Sequence, residues 1–171
     1  MNIECGSSRV REWRTTDKAS LVRLANNRKV WRNLAHRFPH PYTEASADTW
    51  FALLANQELP THWAIELEGE AIGGIGIDPG EGIYAKNAIF GYWLGEPYWG
   101  RGIMTAVVRA TVEHVFAHFD LARLVSPVFE WNPASMRVLE KCGFVREAVL
   151  RKSVFKDGQL IDEVIYARLR G

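Results

Sequence analysis

The fold depends on one stretch near the middle of the chain, Gly91-Tyr92-Trp93-Leu94-Gly95-Glu96-Pro97-Tyr98-Trp99-Gly100-Arg101-Gly102-Ile103. Residues 88–94 are aromatic and branched almost without interruption and are followed by glycine and proline, so they predict a strand buried on both faces. After the stretch, apolar side chains recur at helical spacing, at Met104, Val108, Val112, Val115 and Phe119. The sequence therefore predicts a strand, a glycine-rich turn and a largely buried helix in succession.

Two glycines, Gly100 and Gly102, fall in the predicted first turn of this helix, with Arg101 between them. N–H groups at a helix start lack intrahelical partners, and the helix dipole favours negative charge there. Because glycine has no Cβ, the backbone can approach an anion closely, so the turn is suited to a pyrophosphate. Glycines also begin helices for steric reasons alone, and this fragment leaves both interpretations open.

Two nucleotide-binding motifs are excluded by the residues at this turn. The dinucleotide fingerprint requires a third glycine three residues after Gly102, and that residue is Thr105. The nucleoside-triphosphate loop requires Gly-Lys followed by Ser or Thr at the helix start, whereas this chain has Gly-Arg-Gly-Ile. A pyrophosphate that belongs to another kind of molecule remains a possible ligand of this turn.

A second motif follows one helix and one strand later, Glu130-Trp131-Asn132-Pro133-Ala134-Ser135-Met136-Arg137-Val138-Leu139-Glu140-Lys141-Cys142-Gly143-Phe144. Together the two motifs resemble the GNAT superfamily of acyl-CoA N-acetyltransferases, and within it the RimJ/RimL branch, over residues 10–169. The resemblance implies a single α/β (α+β) domain over residues 1–171, with acetyl-CoA as cosubstrate. The implied GNAT fold is a twisted, mostly antiparallel mixed sheet of about six or seven strands with splayed central parallel strands, flanked by about four helices.

The chain departs from the family pattern at two positions. The pyrophosphate signature of the family usually opens with Gln or Arg, and that residue is Pro97 here. Since backbone amides hold the anion, this loss weakens the motif and leaves the site in place. Many relatives also carry a Glu two residues before the Gly-Tyr-Trp, and here it is Ile89. The general base therefore cannot be transferred from that position.

Composition limits the other classes of function. The 21 Lys and Arg almost balance the 20 Asp and Glu, so we expect neither a nucleic-acid nor a membrane-surface partner. Cys5 and Cys142 have no metal or redox spacing, and we expect free thiols in a reducing compartment and no metal. The first residues lack the regions of a signal peptide. We expect a cytoplasmic monomer or homodimer.

Periodicity and turn chemistry predict the remaining elements. We expect strands over residues 10–14, 63–67, 71–77, 123–129, 144–155 and 160–169. Residues 15–17 should start a helix that reaches, whole or in two pieces, to residue 34, and a further helix should cover residues 43–54. Between the two, residues 38–42 carry two prolines and predict an exposed loop. Asn132 should cap a helix whose first residue is Pro133, and Asp157 with Gly158 should form a tight hairpin turn.

Cofactor contacts are predicted at three places. The loop and first helical turn should bind the pyrophosphate through Trp99, Gly100, Arg101, Gly102, Ile103, Met104 and Thr105. Backbone groups of Tyr92, Trp93 and Leu94 should pair with the pantetheine arm as an added strand would. On the helix after Asn132, we expect Asn132 and Ser135 at the pantetheine and acetyl end, and Arg137 and Lys141 at the phosphorylated ribose. Plain helix capping by Asn132 and solvation of the two cations are the alternatives.

Acetyl transfer from a thioester to an amine needs a proton acceptor for the amine, a proton donor for the leaving thiolate and a hydrogen-bond donor for the oxyanion. The tyrosine acid of many relatives falls at Leu139, so Ser135 is the predicted donor to the leaving thiolate, and a backbone N–H near Leu94 should meet the oxyanion. Glu130 is the first candidate for the base, with Asn132 beside it as a catalytic candidate. Further candidates for the base are Asp78, Glu81, His40 and Asp162. No cysteine stands in a nucleophile motif, so direct attack in a ternary complex is predicted.

The acceptor wall is predicted from Trp31, Arg32, Phe38 and Tyr42, with core packing as the default for Trp50. The predicted acceptor is a protein or peptide N-terminal α-amine, whose pKa of about 7.7–8.0 requires only a weak base. A small amine such as a polyamine, an amino acid or an aminoglycoside is the alternative substrate. A CoA-binding regulatory domain without catalysis is the alternative from another class of protein.

Overall fold

The computed structural model describes all residues, 1–171. Eight strands form one sheet: β1 Asn2–Cys5, β2 Ser8–Arg11, β3 His62–Leu67, β4 Glu70–Pro79, β5 Asn87–Leu94, β6 Arg123–Phe129, β7 Val145–Lys156 and β8 Gln159–Leu169. The five α-helices are α1 Lys18–Ala25, α2 Arg28–Trp31, α3 Glu44–Ala55, α4 Ile103–His118 and α5 Pro133–Lys141. No helix has the length and apolar character needed to cross a membrane.

The strand order in the sheet is β1-β2-β3-β4-β5-β6-β8-β7. Strands β5 and β6 are parallel, whereas β1–β2, β2–β3, β3–β4, β6–β8 and β7–β8 are antiparallel. The parallel register ends with the pair Ile89 and Val125, although both strands continue. This confirms the predicted mixed, mostly antiparallel sheet, and the early end of the pairing agrees with the implied divergence of the central strands.

The sheet has one strand more than the resemblance implied. The additional strand is β1, which pairs with β2 across a turn at Gly6, where φ is +71°. Strand β2 also ends earlier than predicted, at Arg11. The N–H of Arg14 donates to Asp17 Oδ2 over 2.8 Å, so this backbone belongs to the turn before α1 and not to the sheet.

Contacts divide the chain into two compact units. Unit 1 comprises Met1–Gly76 and Tyr92–Val107, and unit 2 comprises Ile77–Gly91 and Val108–Gly171. Strands β4 and β5 and helix α4 run from one unit into the other.

Unit 1 has an aromatic core between its helices. Its buried residues are Leu21, Ala25, Tyr42 and Ala47, against which Trp13, Val22, Phe38, Trp50, Phe51 and Trp93 pack. The structure therefore confirms the core position of Trp50. Beside this core, the buried guanidinium of Arg11 binds Asp17 with bonds of 2.7 and 2.8 Å and also binds the buried carboxylate of Glu66.

Unit 2 covers one face of its strands with helices. The buried face carries Leu124, Ser126, Val128, Val164 and Tyr166. Helix α5 joins this face through Tyr166, whose hydroxyl donates to Glu140 Oε1 over 2.7 Å. On the opposite face, the residues Val125, Pro127, Phe129, Glu163 and Ile165 are half-buried. We call this face the open face.

The prediction that β5 is buried on both faces is wrong. Burial alternates along the strand, with Ala88 and Phe90 buried and Ile89 46% exposed. Phe90 stacks on Phe144, with ring centroids 5.7 Å apart. Ile89 shares its face with Val125, and this is the open face. The strand is thus apolar on a side that the fold does not fully cover.

Candidate active site

The loop between β5 and α4 has two left-handed glycines. Gly100 has φ +73° and Gly102 has φ +77°, and α4 begins at Ile103. The sequence placed both glycines in the first helical turn, which is wrong, because neither can adopt helical dihedrals at a positive φ. The first helical bond runs from the N–H of Ala106 to Gly102 O. The N–H groups of the first turn therefore follow directly on the glycine loop.

Space around the two glycines suits an anion. A Cβ built on Gly100 or Gly102 would meet no atom within 4 Å. Arg101 brings one positive charge to the loop, and its guanidinium lies over the Tyr98 ring, 5.7 Å from the ring centroid. These residues fit the pyrophosphate of CoA, with open space beside the backbone and donors at a helix start.

Two carboxylates of unit 1 fix the start of this loop. Glu96 accepts from Asn27 Nδ2 over 2.7 Å and pairs with Lys29. The hydrogen bond from Lys29, followed by that from Asn27, holds the pKa of Glu96 below its usual value. Glu70 in turn accepts from the hydroxyl of Tyr98 over 3.0 Å. Side chains distant in sequence therefore tie the loop to helix α2 and strand β4.

The end of β5 is closed by the indole of Trp99, a residue that the sequence assigned to the pyrophosphate through its backbone and not through its side chain. Trp99 Nε1 donates to Leu94 O over 2.7 Å, and the N–H of Gly95 donates to Ile72 O over 2.8 Å. The Gly95 N–H is therefore not available to an oxyanion. Pairing of the pantetheine with Tyr92 and Trp93, and an oxyanion contact from an N–H of β5, remain predictions.

Helix α5 begins as predicted, with Asn132 as its cap and Pro133 as its first residue. Asn132 Oδ1 accepts the N–H of Ser135 over 3.2 Å, so the structure brings these two predicted residues together. The cap uses the oxygen of the Asn132 amide and not its Nδ2 group. Arg137 and Lys141 lie on the exposed side of the helix, and their contact with a ribose phosphate remains a prediction.

Glu130, the first candidate for the base, is bound to the backbone of the neighbouring strand. Its Oε1 accepts the N–H of Asp162 over 2.9 Å, and its own N–H donates to Asp162 O over 3.1 Å. Asp162, another candidate, accepts the N–H of Lys152 at Oδ1 over 2.8 Å. Both carboxylates thus have a structural task at the end of β6, and neither catalytic assignment gains support from these contacts.

The predicted acceptor residues divide into two aromatic groups within unit 1. Phe38 lies 5.1 Å from the Tyr42 ring and 5.6 Å from the Trp93 ring. Tyr42 is only 5% exposed, and burial raises its pKa to about 12, so it is a core residue and not part of an open wall. Trp31 stacks on His40 at 5.4 Å.

Comparison with known proteins identifies the family. The model of the acetyltransferase (GNAT) domain matches residues 9–145. The chain belongs to the GNAT acetyltransferase family. The probable N-acetyltransferase YjcK of Bacillus subtilis is 40% identical over 84 residues, which cover 49% of this chain and 46% of that protein. The chain thus spans about half the length of this relative.

Two further similarities concern the branch of the family. The ribosomal-protein-serine acetyltransferase of Escherichia coli is 29% identical over 154 residues, covering 87% of this chain and 85% of that protein. The structure of Mycobacterium smegmatis RimJ, described as a complex with CoA-disulfide, has a TM-score of 0.84 at 25% identity, covering 96% of this chain and 83% of that one. These findings confirm the predicted resemblance to the RimJ/RimL branch of the GNAT family.

One carboxylate that sequence reasoning missed lies on the open face of this GNAT domain. Glu163 of β8 is in register with Phe129 of β6 and with Leu150 of β7. Burial raises the pKa of its carboxyl group. The sequence feature that could have identified Glu163 is its place inside the run Leu160-Ile161-Asp162-Glu163-Val164-Ile165. In a strand of this kind, β propensity favours apolar side chains over acidic ones.

Proposed function

We propose that this chain transfers an acetyl group from acetyl-CoA to a primary amine, and that the acceptor is the N-terminal α-amine of a protein or peptide. The observation that carries the proposal is the loop of Gly100 and Gly102 before α4, whose backbone is left-handed and open to an anion. Family membership makes CoA the anion-bearing molecule to test first.

The loop would hold the pyrophosphate in a fixed position. First-turn N–H groups of α4 would donate to it, and Arg101 would add a positive charge. The bonds of Glu96 and of Trp99 fix the loop before any ligand binds. Such preorganisation reduces the ordering cost of binding.

Acetyl-CoA supplies the acyl group as a thioester, and the chain supplies positioning and proton transfer. The Ser135 hydroxyl, in the first turn of α5, would protonate the leaving thiolate. The Asn132 cap fixes the backbone of Ser135 for this task. The acceptor nitrogen attacks only when it is neutral, so an α-amine, with a pKa of about 7.7–8.0, loses its proton more easily than a lysine side chain.

Support for a protein N-terminus comes from the relative with the longest shared alignment described above. That Escherichia coli protein is named a ribosomal-protein-serine acetyltransferase. In this chain, the stacked pair of Trp31 and His40 would provide an aromatic surface for a peptide backbone near its amine. Phe38 and Trp93 would form a second such surface.

Release of free thiol from acetyl-CoA, measured against a panel of N-terminal peptides and small amines, tests this function. We expect turnover with peptides that have a free α-amine and none with the same peptides after N-terminal blocking. Turnover only with small amines would replace the protein acceptor by a metabolite. Binding of CoA without turnover on any amine would indicate a regulatory CoA-binding domain.

The cofactor assignment has its own test. Binding of CoA, 3′-dephospho-CoA and pantetheine is compared by calorimetry. If the loop holds the pyrophosphate, pantetheine should bind far more weakly than 3′-dephospho-CoA, because only pantetheine lacks that group. Equal affinity of these two ligands would contradict the assignment.

A further inference from the structure

The open face of unit 2 is an apolar surface near the end of β6. It carries Val125, Pro127 and Phe129 from β6, all partly exposed. Strand β8 adds Glu163 and Ile165, which pair with Phe129 and Pro127. The register places one carboxylate among apolar side chains at the end of the strand from which Asn132 and α5 follow.

The neighbours of Glu163 remove water from it without offering a counter-charge. Across the strands its partners are Phe129 and Leu150, and along its own face of β8 its neighbours are Ile161 and Ile165. None of these side chains titrates. Burial is the cause of its raised pKa, and no ion pair or hydrogen bond offsets it. Such a site disfavours the ionised carboxylate.

Three other carboxylates of unit 2 differ from Glu163 because each has a hydrogen-bond partner. Glu147 pairs with Arg123, and Glu140 accepts from Tyr166. Glu130 binds the N–H of Asp162. A half-buried carboxylate without such a partner costs stability, and a cost of this kind is common where a side chain serves a reaction.

Resting on the proposed function, we propose that Glu163 accepts the proton of the acceptor amine. The nitrogen lone pair forms the C–N bond to the acyl carbon, the C–S bond breaks, and its electron pair leaves with sulfur. The nitrogen's proton moves to the carboxylate of Glu163. The thiolate takes its proton from the Ser135 hydroxyl, and the proton held by Glu163 returns through water to the Ser135 oxygen, so both residues regain their starting states and protons and electrons balance.

The surroundings of Glu163 suit this task in two ways. A base is most effective when its pKa lies near the working pH, and burial moves the pKa of Glu163 in that direction. The apolar neighbours also strengthen its attraction for an ammonium group. The nearest charged groups by register are Asp162 on β8, Glu130 after β6, and Arg151 and Lys152 after Leu150 on β7. Asp162 is bonded to the backbone of Lys152 and to the main chain and carboxylate of Glu130.

The test compares E163Q with E147Q in the full chain, and E130Q represents the competing base. Glu147 is a suitable control because its carboxylate is also on the strands of unit 2 but is paired with Arg123. For each variant, we measure kcat and KM for a reactive N-terminal peptide from pH 5 to 9, the affinity for CoA and the thermal midpoint.

We expect E163Q to lower kcat by about 100-fold or more, the usual range for removal of a general base, and to abolish the acidic limb of the pH profile. Affinity for CoA should stay within about twofold of the wild type. The thermal midpoint at neutral pH should not fall, because a carboxylate with a raised pKa destabilises the fold when it ionises. A structural role would instead lower the midpoint and leave the profile unchanged.

Two results would overturn the proposal, and a third would overturn the proposed function. If E163Q kept the wild-type kcat and the acidic limb of its pH profile, Glu163 would not be the base. The same conclusion would follow if the acidic limb were lost in E130Q and kept in E163Q. If the wild-type chain turned over none of the amines, the acetyltransferase function itself would fail. Turnover by the wild type with an unaffected E163Q would remove only the role of Glu163.

Discussion

Replacing Gly102 by alanine tests whether the loop before α4 binds an anion. Gly102 has φ +77°, and a Cβ at this position meets no atom within 4 Å. The free protein can therefore accommodate the methyl group, although the backbone conformation becomes strained. Gly158, in the turn between β7 and β8, provides a matched control, because it has φ +75° and equally open surroundings. Strain is common to both variants, whereas contact with a phosphate is expected only at Gly102.

The two effects of the substitution can be separated by magnitude. A non-glycine residue in the left-handed region costs about 1–2 kcal/mol. For a chain of this size, that cost lowers the thermal midpoint by about 2–8 °C, and we expect similar values for both variants. The strain is present with and without CoA, so it cancels from the binding free energy. Loss of one charge-assisted hydrogen bond, about 1.5–3 kcal/mol, should weaken CoA binding to G102A by about 10- to 100-fold.

Calorimetric titration with CoA, together with thermal unfolding of both variants, checks this prediction. G158A should bind CoA with the wild-type Kd despite its lower midpoint. If G102A also bound CoA with the wild-type Kd, the methyl group would not stand between the backbone and a phosphate. The assignment of the loop as the pyrophosphate site would then be wrong.

Three further predictions concern stability and positioning. The pKa of Glu66 is lowered, chiefly by its hydrogen bond from Arg11. Its contribution to stability is therefore present above the usual carboxyl pKa and is lost as pH falls. The free energy of unfolding, measured with urea, should change less between pH 5 and pH 3 in E66Q than in the wild type. W99F removes the donor to Leu94 O and should cost about 0.5–1.5 kcal/mol and raise KM for acetyl-CoA more than it lowers kcat. N132A should lower stability by about 1 kcal/mol, whereas N132S should keep the cap; kcat that stays low in N132S would assign the amide a role beyond capping.

Local rules were sufficient for much of the secondary structure. The turn at Asp157 and Gly158 has positive φ at both residues, as the Asp-Gly pair predicts, because this turn requires two left-handed residues. Asn132 and Pro133 likewise specify the start of α5 through a side-chain acceptor and a fixed φ. Strand β6 has the predicted ends, residues 123 and 129. Each of these predictions depends on neighbours in the chain.

Site residues were harder to predict because their partners are distant in sequence. Glu130 was the predicted base, and the structure gives its carboxylate a backbone donor from Asp162, a contact that depends on the register of β6 and β8. Tyr42 was expected in an exposed loop, and it lies in the core. Glu163 did not stand out in the sequence, because its register partners, Phe129 and Leu150, lie on other strands.

The sequence by itself determined the glycine loop, the capped helix α5 and the family that the two motifs indicate, since these follow from dihedral preferences and hydrogen bonds between residues close in the chain. Only the tertiary structure decided which carboxylates are engaged and which one is left among apolar side chains. Burial and ion pairing are set by strand register and by helix cover, and both bring together residues that no local pattern connects.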